Sequence, residues 1–216
     1  QGSWQNMPCA PQFNGANTLI LVFGALAQHA DALSILATRW PNALIAGATT
    51  SGEITNTCLQ DQGLSATLVH FEQTQLRLYS AIVEQAEASY QVGQTLAQQL
   101  QGDHLQGVLV FSDGLKVYGS DLTKGLLSLL PANIPIMGGL AGDDFQFKQT
   151  LTLAGECLAS GQVVVIGLYG QGLTISHGSR GGWLPFGPKR TITGAQGHVL
   201  LTLDYEAALE VYKSYL

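Results

Sequence analysis

The stretch Thr18–Gly24 (TLILVFG) decides the fold class, because it begins an alternation of strand and helix. Its run of apolar and β-branched side chains is typical of a buried strand. In residues 31–40, apolar side chains recur at i, i+3, i+4 and i+7, which predicts a helix that Pro41 ends. Residues 43–47 predict the next strand. A helix between two strands predicts that these strands run parallel in one sheet.

The rest of the chain predicts more strands than helices. A second helix is expected to be capped by Ser89 and to end at Gly102, a third covers 122–130 with Asp121 as its cap, and Asp204 caps a last helix. Strands are expected at 66–71 and 75–83, paired as a hairpin, and at 107–111, 134–137, 148–153, 162–169, 173–177, 190–195 and 199–203.

The order of these elements predicts an α/β (α+β) fold with a mixed β-sheet, or sheets, flanked by helices. It reads β-α-β-β-β-α-β-α-β, followed by consecutive strands and a C-terminal helix. We interpret residues 1–16 as a tag remnant and an N-terminal extension. Since no repeat or low-complexity linker interrupts the remainder, we expect one domain over residues 17–216.

The composition argues against several classes of protein. The 216 residues carry a net charge of −6, and only 11% of them are charged. The nine basic residues form no cluster, so we expect neither nucleic acid nor an anionic membrane as a partner. The apolar runs are far shorter than the ~20 residues that a membrane-spanning helix needs. Three widely spaced cysteines favour free thiols in the cytoplasm over a disulfide framework.

Known catalytic and cofactor motifs do not match this sequence. The glycine cluster at 137–142 (MGGLAG) lacks the first glycine of a dinucleotide-binding fingerprint, and no helical pattern follows it. Neither Ser51 nor Ser112 has the glycine two positions earlier that a nucleophile elbow requires. The five histidines show no metal-ligand spacing, so we expect no metal site.

Three polar segments directly follow predicted strands, and they contain the candidate ligand-binding residues. If those strands are parallel, the segments emerge at one edge of the sheet, which is where open α/β sheets bind ligands. Glycine lets a ligand approach the backbone, while hydroxyls and carboxylates supply hydrogen-bonding groups. The alternative is that the segments are ordinary tight turns. The candidates are Thr50, Ser51, Glu53, Ser112, Asp113, Gly139, Asp143 and Asp144.

A fourth segment, residues 181–188 (GGWLPFGP), places Trp183 and Phe186 between glycines and prolines. Exposure of two aromatic side chains in a loop is unfavourable in water. These side chains therefore either fill the domain core or form the apolar wall of the ligand pocket.

Several segments keep the order and spacing of a known family over residues 17–216. They are LILVFG (19–24), IAGATTSGEI (45–54), LVFSDGL (109–115), IPIMGGLAGDD (134–144), VVVIGLY (163–169), GWLPFGP (182–188) and LDYEAALEVYKSYL (203–216). Together they resemble the N-terminal domain of the FIST family. The resemblance implies a non-catalytic, cytoplasmic sensor domain of bacterial signal transduction. It also implies a C-terminal half, which this chain is expected to lack and which would be one of its partners.

The resemblance further implies partners and ligands. The partners are histidine kinases of two-component systems or other transmitters, such as chemoreceptor-like proteins and cyclic-di-GMP enzymes. The ligands are small molecules related to amino acids or, in one branch of the family, haem for sensing nitric oxide. Haem needs an axial ligand at an apolar slot, and His177 is the best candidate, with Arg180 able to pair with a propionate. The acids named above suit a small cation better, so we expect no cofactor in this chain.

The main hypothesis is a sensor domain that binds a small polar ligand and changes how a partner kinase packs against it. Carboxylates gathered in one cleft repel each other and raise their pKa values unless a cation lies among them. The ligand is therefore expected to carry an ammonium or guanidinium group, as an amino acid or polyamine does. The alternatives are an enzyme that uses the same acids in hydrolysis or transfer, and an interaction scaffold without a ligand.

Overall fold

A computed structural model of the chain describes residues 4–5, 7–8, 11–55, 57–178, 181–182, 184–197 and 199–215. The chain packs as two units, residues 1–177 and residues 178–216. The division at residue 17 and the single domain over 17–216 remain predictions from the sequence. Among the described residues, no helix combines the length and the apolar character needed to cross a bilayer.

The described residues form four α-helices and a larger number of strands. The helices are α1 (Ala30–Arg39), α2 (Ser89–Leu100), α3 (Gly119–Leu129) and α4 (Ala208–Lys213). The strands are β1 (Thr18–Gly24), β2 (Leu44–Ala48), β3 (Glu53–Thr55), β4 (Cys58–Gln60), β5 (Leu64–His70), β6 (Gln75–Ile82), β7 (Leu105–Ser112), β8 (Ile136–Leu140), β9 (Thr152–Ala154), β10 (Cys157–Ala159), β11 (Gln162–Tyr169), β12 (Ile192–Gln196), β13 (Val199–Leu203) and β14 (Glu206–Ala207).

The unit 1–177 is built on two mixed sheets. The first sheet has the strand order β10-β9-β2-β1-β5, and the second has the order β6-β11-β7-β8. β1 runs parallel to β2 and antiparallel to β5, while β7 runs parallel to β8 and antiparallel to β11. The predicted mixed α/β fold with flanking helices is therefore confirmed, and the parallel pairing of β1 with β2 is as expected.

The two sheets lie face to face between helices, because successive side chains of the central strands pack on opposite sides of each sheet. In β1, Leu19 packs into the cluster shared by both sheets, whereas Ile20 packs on the opposite side with α1. In β11, Val164 packs toward the first sheet and Val163 packs against α2 and α3. Because successive side chains of a strand point to opposite faces, both strands are buried on both sides. The unit is thus a four-layer arrangement of helix, sheet, sheet and helices.

The helices α2 and α3 that cover the second sheet touch through glycine. A Cβ atom added at Gly125 in α3 would lie 2.1 Å from the carbonyl oxygen of Tyr90 in α2. No side chain fits at that distance, so the close approach of the two helices requires glycine there.

One predicted strand pairing and one predicted strand are wrong, and the strand expected at 148–153 begins only at Thr152. The stretches 66–71 and 75–83 do form strands, but not a hairpin, because β5 pairs with β1 in the first sheet and β6 pairs with β11 in the second. The short connection between β5 and β6 is compatible with a hairpin and also with a crossing from one stacked sheet to the other. In this fold it crosses, and each strand pairs along its length with a long strand, β1 or β11. Residues 173–177 form no strand. The side chain of Ile175 packs against Gly107 of β7, but the backbone of this stretch pairs with no strand.

The predicted helix caps also differ from the structure. Ser89 and Asp121 lie inside the first turns of α2 and α3, and α4 begins only at Ala208, four residues after Asp204. Asp204 adopts a left-handed backbone conformation (φ 51°) and accepts a hydrogen bond from Thr191 N (2.8 Å). It therefore stabilises a turn of the β12-β13-β14 sheet in the unit 178–216 instead of a helix start.

Candidate functional site

The three polar segments predicted for one sheet edge lie on two different sheets. The segment with Thr49 follows β2 of the first sheet, whereas Ser112 and residues 138–144 belong to β7, β8 and the loop after β8 in the second. The loop after β8 nevertheless joins them, because Ala141 N donates to Ser112 O (2.8 Å) and Gly142 N donates to Thr49 O (2.9 Å). The strand ends are therefore close together although they are not in one sheet.

A cleft of about 340 Å³ lies where the first sheet ends, and we call it the acidic cleft. Four of the predicted candidates line it: Thr50, Glu53, Asp143 and Asp144. Its remaining charged lining residues, Asp61 and Lys148, were not singled out from the sequence. Four carboxylates and one ammonium group thus face this cleft, an excess of three negative charges.

Glu53 forms the floor of the acidic cleft, and only 3% of its surface is exposed. Thr50 Oγ1 donates to its Oε1 (3.0 Å), and Gly63 N donates to its Oε2 (3.1 Å). Glu53 therefore ties the loop after β2 to the start of β5. Both of its oxygens already accept a hydrogen bond, which fixes the orientation of the carboxylate.

Asp143 organises the loop that forms one wall of the cleft. Phe147 N donates to its Oδ1 (3.0 Å), while Lys148 N (2.6 Å) and Gln149 N (3.1 Å) donate to its Oδ2. Partial burial raises the pKa of Asp143, but the backbone N–H groups outweigh this effect, so the pKa lies below its ordinary value. Asp143 is therefore ionised and holds residues 143–149, which we call the 143–149 loop.

Asp144 is the carboxylate that the loop leaves open. Its backbone is left-handed (φ 57°), and its N–H donates to Ser51 Oγ (3.1 Å). Within the described part of the chain, its carboxylate accepts no hydrogen bond, and the residue is exposed. Ser51 thus positions Asp144 through the backbone and is not itself a lining residue of the cleft.

Asp113 lies outside the acidic cleft and is fully buried. Its Oδ1 accepts hydrogen bonds from Leu115 N (2.8 Å) and Lys116 N (2.7 Å), and its Oδ2 accepts them from Ser160 Oγ (3.0 Å) and Gly161 N (2.8 Å). Burial raises the pKa of Asp113, but the backbone N–H donors lower it by more, so the pKa lies below its ordinary value. The structure thus engages Asp113 in joining the end of β7 to the turn before β11.

Ser112 and Gly139 line a second cleft of about 640 Å³ between α3 and β8, which we call the α3–β8 groove. Ser112 is 1% exposed, and its hydroxyl donates to the carbonyl of Asp113 (3.2 Å). Apart from Ser51, the candidates from the three polar segments are therefore divided between two clefts and one buried turn.

The structure describes two of the aromatic and histidine candidates, Phe186 and His177. Trp183, like Arg180, falls outside the described residues. Phe186 is 87% exposed in the unit 178–216, where its ring makes an edge contact with Tyr215 at 6.4 Å. His177 is exposed and lines neither cleft.

The alternative of a haem at His177 stays a prediction from the sequence. Among the described residues, no group of three or more His, Cys, Asp or Glu could hold a metal ion.

No sequence pattern pointed to Asp61 and Lys148 as lining residues of the acidic cleft; the tertiary structure places them there. Asp61 follows the β3–β4 hairpin, which brings it to the cleft, and this hairpin has no clear strand pattern in the sequence. Lys148 lies in a stretch that was predicted as strand. The hydrogen bonds of Asp143 to the backbone turn this stretch into a loop that faces the cleft.

Comparison with known proteins assigns the family. The family model described as FIST N domain matches residues 18–206, which is most of the chain. No curated protein matches the chain. The chain therefore belongs to the FIST N domain family, and it is a sensor domain of signal transduction.

Proposed function

We propose that this domain is a non-catalytic, cytoplasmic sensor that binds a small ligand with an ammonium or guanidinium group in the acidic cleft. Ligand binding would regulate a histidine kinase or another signalling transmitter. The observation that carries the proposal is the excess of three negative charges on the lining of this cleft.

The hydrogen bonds divide the four carboxylates into two groups. Glu53 and Asp143 accept hydrogen bonds from the chain itself, so they shape the cleft. Asp144 and Asp61 are exposed at its mouth, and no hydrogen bond within the described residues satisfies their carboxylates. A cation at about 4 Å from such a carboxylate gains about 4 kcal/mol at a surface-like dielectric, before desolvation. These two carboxylates are the expected contacts of the ligand's positive group.

The size and the remaining charge of the cleft favour an amino-acid-like ligand. A volume of about 340 Å³ is near the lower end of the range for small-molecule sites, ~300–1,000 Å³. Lys148, the cationic lining residue, is suited to a ligand carboxylate. A molecule with a cationic and an anionic end therefore fits this lining better than a polyamine, which carries only positive groups.

The 143–149 loop supplies a route from the ligand to a partner. It lines the cleft through Asp143 and Asp144 and carries Phe145 and Phe147 on the surface, 79% and 72% exposed. Both phenylalanines have left-handed backbones (φ 58° and 53°), which is costly for residues with a side chain. A ligand on Asp144 would change the balance of conformations of this loop and hence the aromatic surface that a partner contacts.

Isothermal titration calorimetry tests the proposal with arginine, lysine and putrescine, and with glutamate as the anionic comparison. We expect binding of at least one cationic compound, weakened by about tenfold in Asp144→Asn, because one charge pair is lost. Asp121→Asn is the matched control, since Asp121 pairs with Lys124 on α3 away from the cleft. Absence of heat with all cationic compounds, or equal affinity in Asp144→Asn, contradicts the proposal.

An enzyme that uses the same acids is the second candidate, and the burial of Glu53 favours it. A buried and an exposed carboxylate, Glu53 and Asp144, line one cleft, as hydrolysis or transfer with two carboxylates requires. Against this, both oxygens of Glu53 accept hydrogen bonds from the chain. Mass spectrometry of each binding compound after incubation distinguishes the two, because a sensor leaves its ligand unchanged.

A further inference from the structure

The outer edge of β8 is open, and it is the end of the second sheet. The carbonyl of Pro135 and the N–H of Ala141, at the two ends of β8, both bond to β7. Successive residues of a strand direct their backbone groups to opposite sides, so every second residue between these two faces away from β7. Within the described residues, the N–H groups on that outer side have no hydrogen-bond acceptor. They belong to Ile136, Gly138 and Leu140.

This edge lacks the protection that exposed edges usually have. Natural edge strands are shielded by charged side chains, proline, bulges or a covering element. The sequence of β8, Ile136–Leu140 (IMGGL), contains neither charge nor proline, and its register with β7 is continuous. Leu140 is 56% exposed, and Gly138 and Gly139 are exposed as well. An unprotected apolar edge of this kind is a template for another strand.

The α3–β8 groove runs beside the open edge. Leu122 and Leu126 of α3 form one side, Ile136 and Leu140 of β8 form the other, and no charged side chain lines the groove. Its volume of about 640 Å³ has room for several side chains. In an added strand, every second side chain would point to this face of the sheet.

We propose that the α3–β8 groove binds an extended, uncharged, apolar segment of a partner polypeptide, which adds to the second sheet as a strand beside β8. The three outward residues of β8 supply alternating N–H and C=O groups that only a backbone in strand conformation matches. Apolar side chains of the segment fill the groove. A charged side chain would lose its hydration there without finding a counter-charge, so the segment is uncharged at those positions.

A second copy of this chain is a poorer occupant than a partner polypeptide. Two copies of β8 paired through their outer edges would share five residues each, of which two are glycine. Such a contact buries far less than the ~1,600 Å² of a standard stable interface. The glycines of the second β8 would also have no side chain to place in the α3–β8 groove of the first copy.

Fluorescence anisotropy tests the proposal with a fluorescein-labelled, end-capped peptide of alternating leucine and threonine, seven residues long, and a second peptide with lysine in place of leucine. We expect the leucine peptide to bind the wild-type chain and the lysine peptide not to bind. Leu140→Pro removes one outward N–H group and adds a ring at the edge, so binding should weaken by about tenfold. The comparison variant Leu140→Ala also loses the side chain that borders the groove but keeps the N–H group, so it should weaken binding less than Leu140→Pro does.

A second variant acts through the groove and not through the backbone. Thr123 of α3 is exposed and lines the groove, so Thr123→Phe can be accommodated and places a ring at the groove. We expect it to abolish binding of the leucine peptide while circular dichroism shows an unchanged fold. If Leu140→Pro does not fold, Thr123→Phe decides the question.

Three outcomes overturn the proposal. The first is no binding of the leucine peptide by the wild type, and the second is equal binding by the wild type and Thr123→Phe. The third is a dimer in sedimentation experiments that Leu140→Pro dissociates, because the occupant would then be a second copy. The test is independent of the acidic cleft, since Asp144→Asn should bind the peptide normally.

Discussion

Replacing Asp113 by alanine tests whether this buried carboxylate stabilises the fold. The alternative is that it binds the ligand, as the sequence predicted. Its oxygens accept hydrogen bonds from three backbone N–H groups, those of Leu115, Lys116 and Gly161, and from the hydroxyl of Ser160. A buried donor left without an acceptor costs roughly 1–3 kcal/mol. Some of these donors reach water after relaxation, so we expect Asp113→Ala to lose about 3–5 kcal/mol of unfolding free energy.

A graded series makes this expectation sharper. Asp113→Asn keeps one oxygen and so satisfies about half of the donors, which predicts a loss of about 2 kcal/mol. The control is Asp103→Ala, an exposed position whose side chain makes no hydrogen bond to the described residues, where the change should stay within about 0.5 kcal/mol. Urea unfolding followed by circular dichroism measures all three variants. Because Asp113 lies outside the acidic cleft, Asp113→Asn should bind the cationic ligand with unchanged affinity.

The pH dependence gives an independent check on Asp113. Burial raises its pKa, and the hydrogen bonds lower the pKa more, so the folded-state value lies below the ordinary 3.8. A carboxylate with a lowered folded-state pKa stabilises the protein fully above its unfolded-state pKa, and this stabilisation is lost as pH falls through the folded-state pKa. The difference in stability between wild type and Asp113→Asn should therefore be constant from about pH 5 to 7 and should shrink below about pH 4. A loss below about 1 kcal/mol in Asp113→Ala, or a weakened ligand affinity in Asp113→Asn, refutes this reasoning.

Three further predictions concern the contact of α2 with α3, the 143–149 loop and haem. For the first of them, Gly139→Ala is the control, because it adds a methyl group where no atom lies within 4 Å. Gly125→Ala places a methyl group 2.1 Å from a carbonyl oxygen of α2 and should lose about 2–3 kcal/mol of unfolding free energy in urea, whereas equal stability of the two alanine variants would show that α2 and α3 can separate without cost. Asp143→Ala removes the acceptor for three N–H groups of the 143–149 loop, so chymotrypsin should cleave after Phe147 several times faster, and an unchanged rate would mean that other contacts hold the loop. Protein expressed with a haem precursor should show no Soret band in its visible spectrum; a band that is lost in His177→Ala would contradict this and identify the axial ligand.

The sequence by itself determined the burial pattern of the unit 1–177. Nearly continuous apolar runs in β1, β7 and β11 lead to burial on both faces, and the spacing of apolar residues in residues 31–40 leads to a helix with one buried side. These are local properties, since the periods of strand and helix depend only on neighbouring residues. The family segments, which keep their order along the chain, add the assignment to FIST N domains.

Only the tertiary structure decided which strands share a sheet and which acids face a ligand. The stretches that became β5 and β6 have the pattern of a hairpin, but each pairs with a central strand of a different sheet, because pairing depends on partners that are distant in sequence. Asp113 and Asp144 are alike in the sequence, as acids that follow a strand. Folding surrounds the first with four donors and leaves the second open in the acidic cleft, since donors 47 and 48 residues away, the hydroxyl of Ser160 and the N–H of Gly161, decide whether this carboxylate is satisfied.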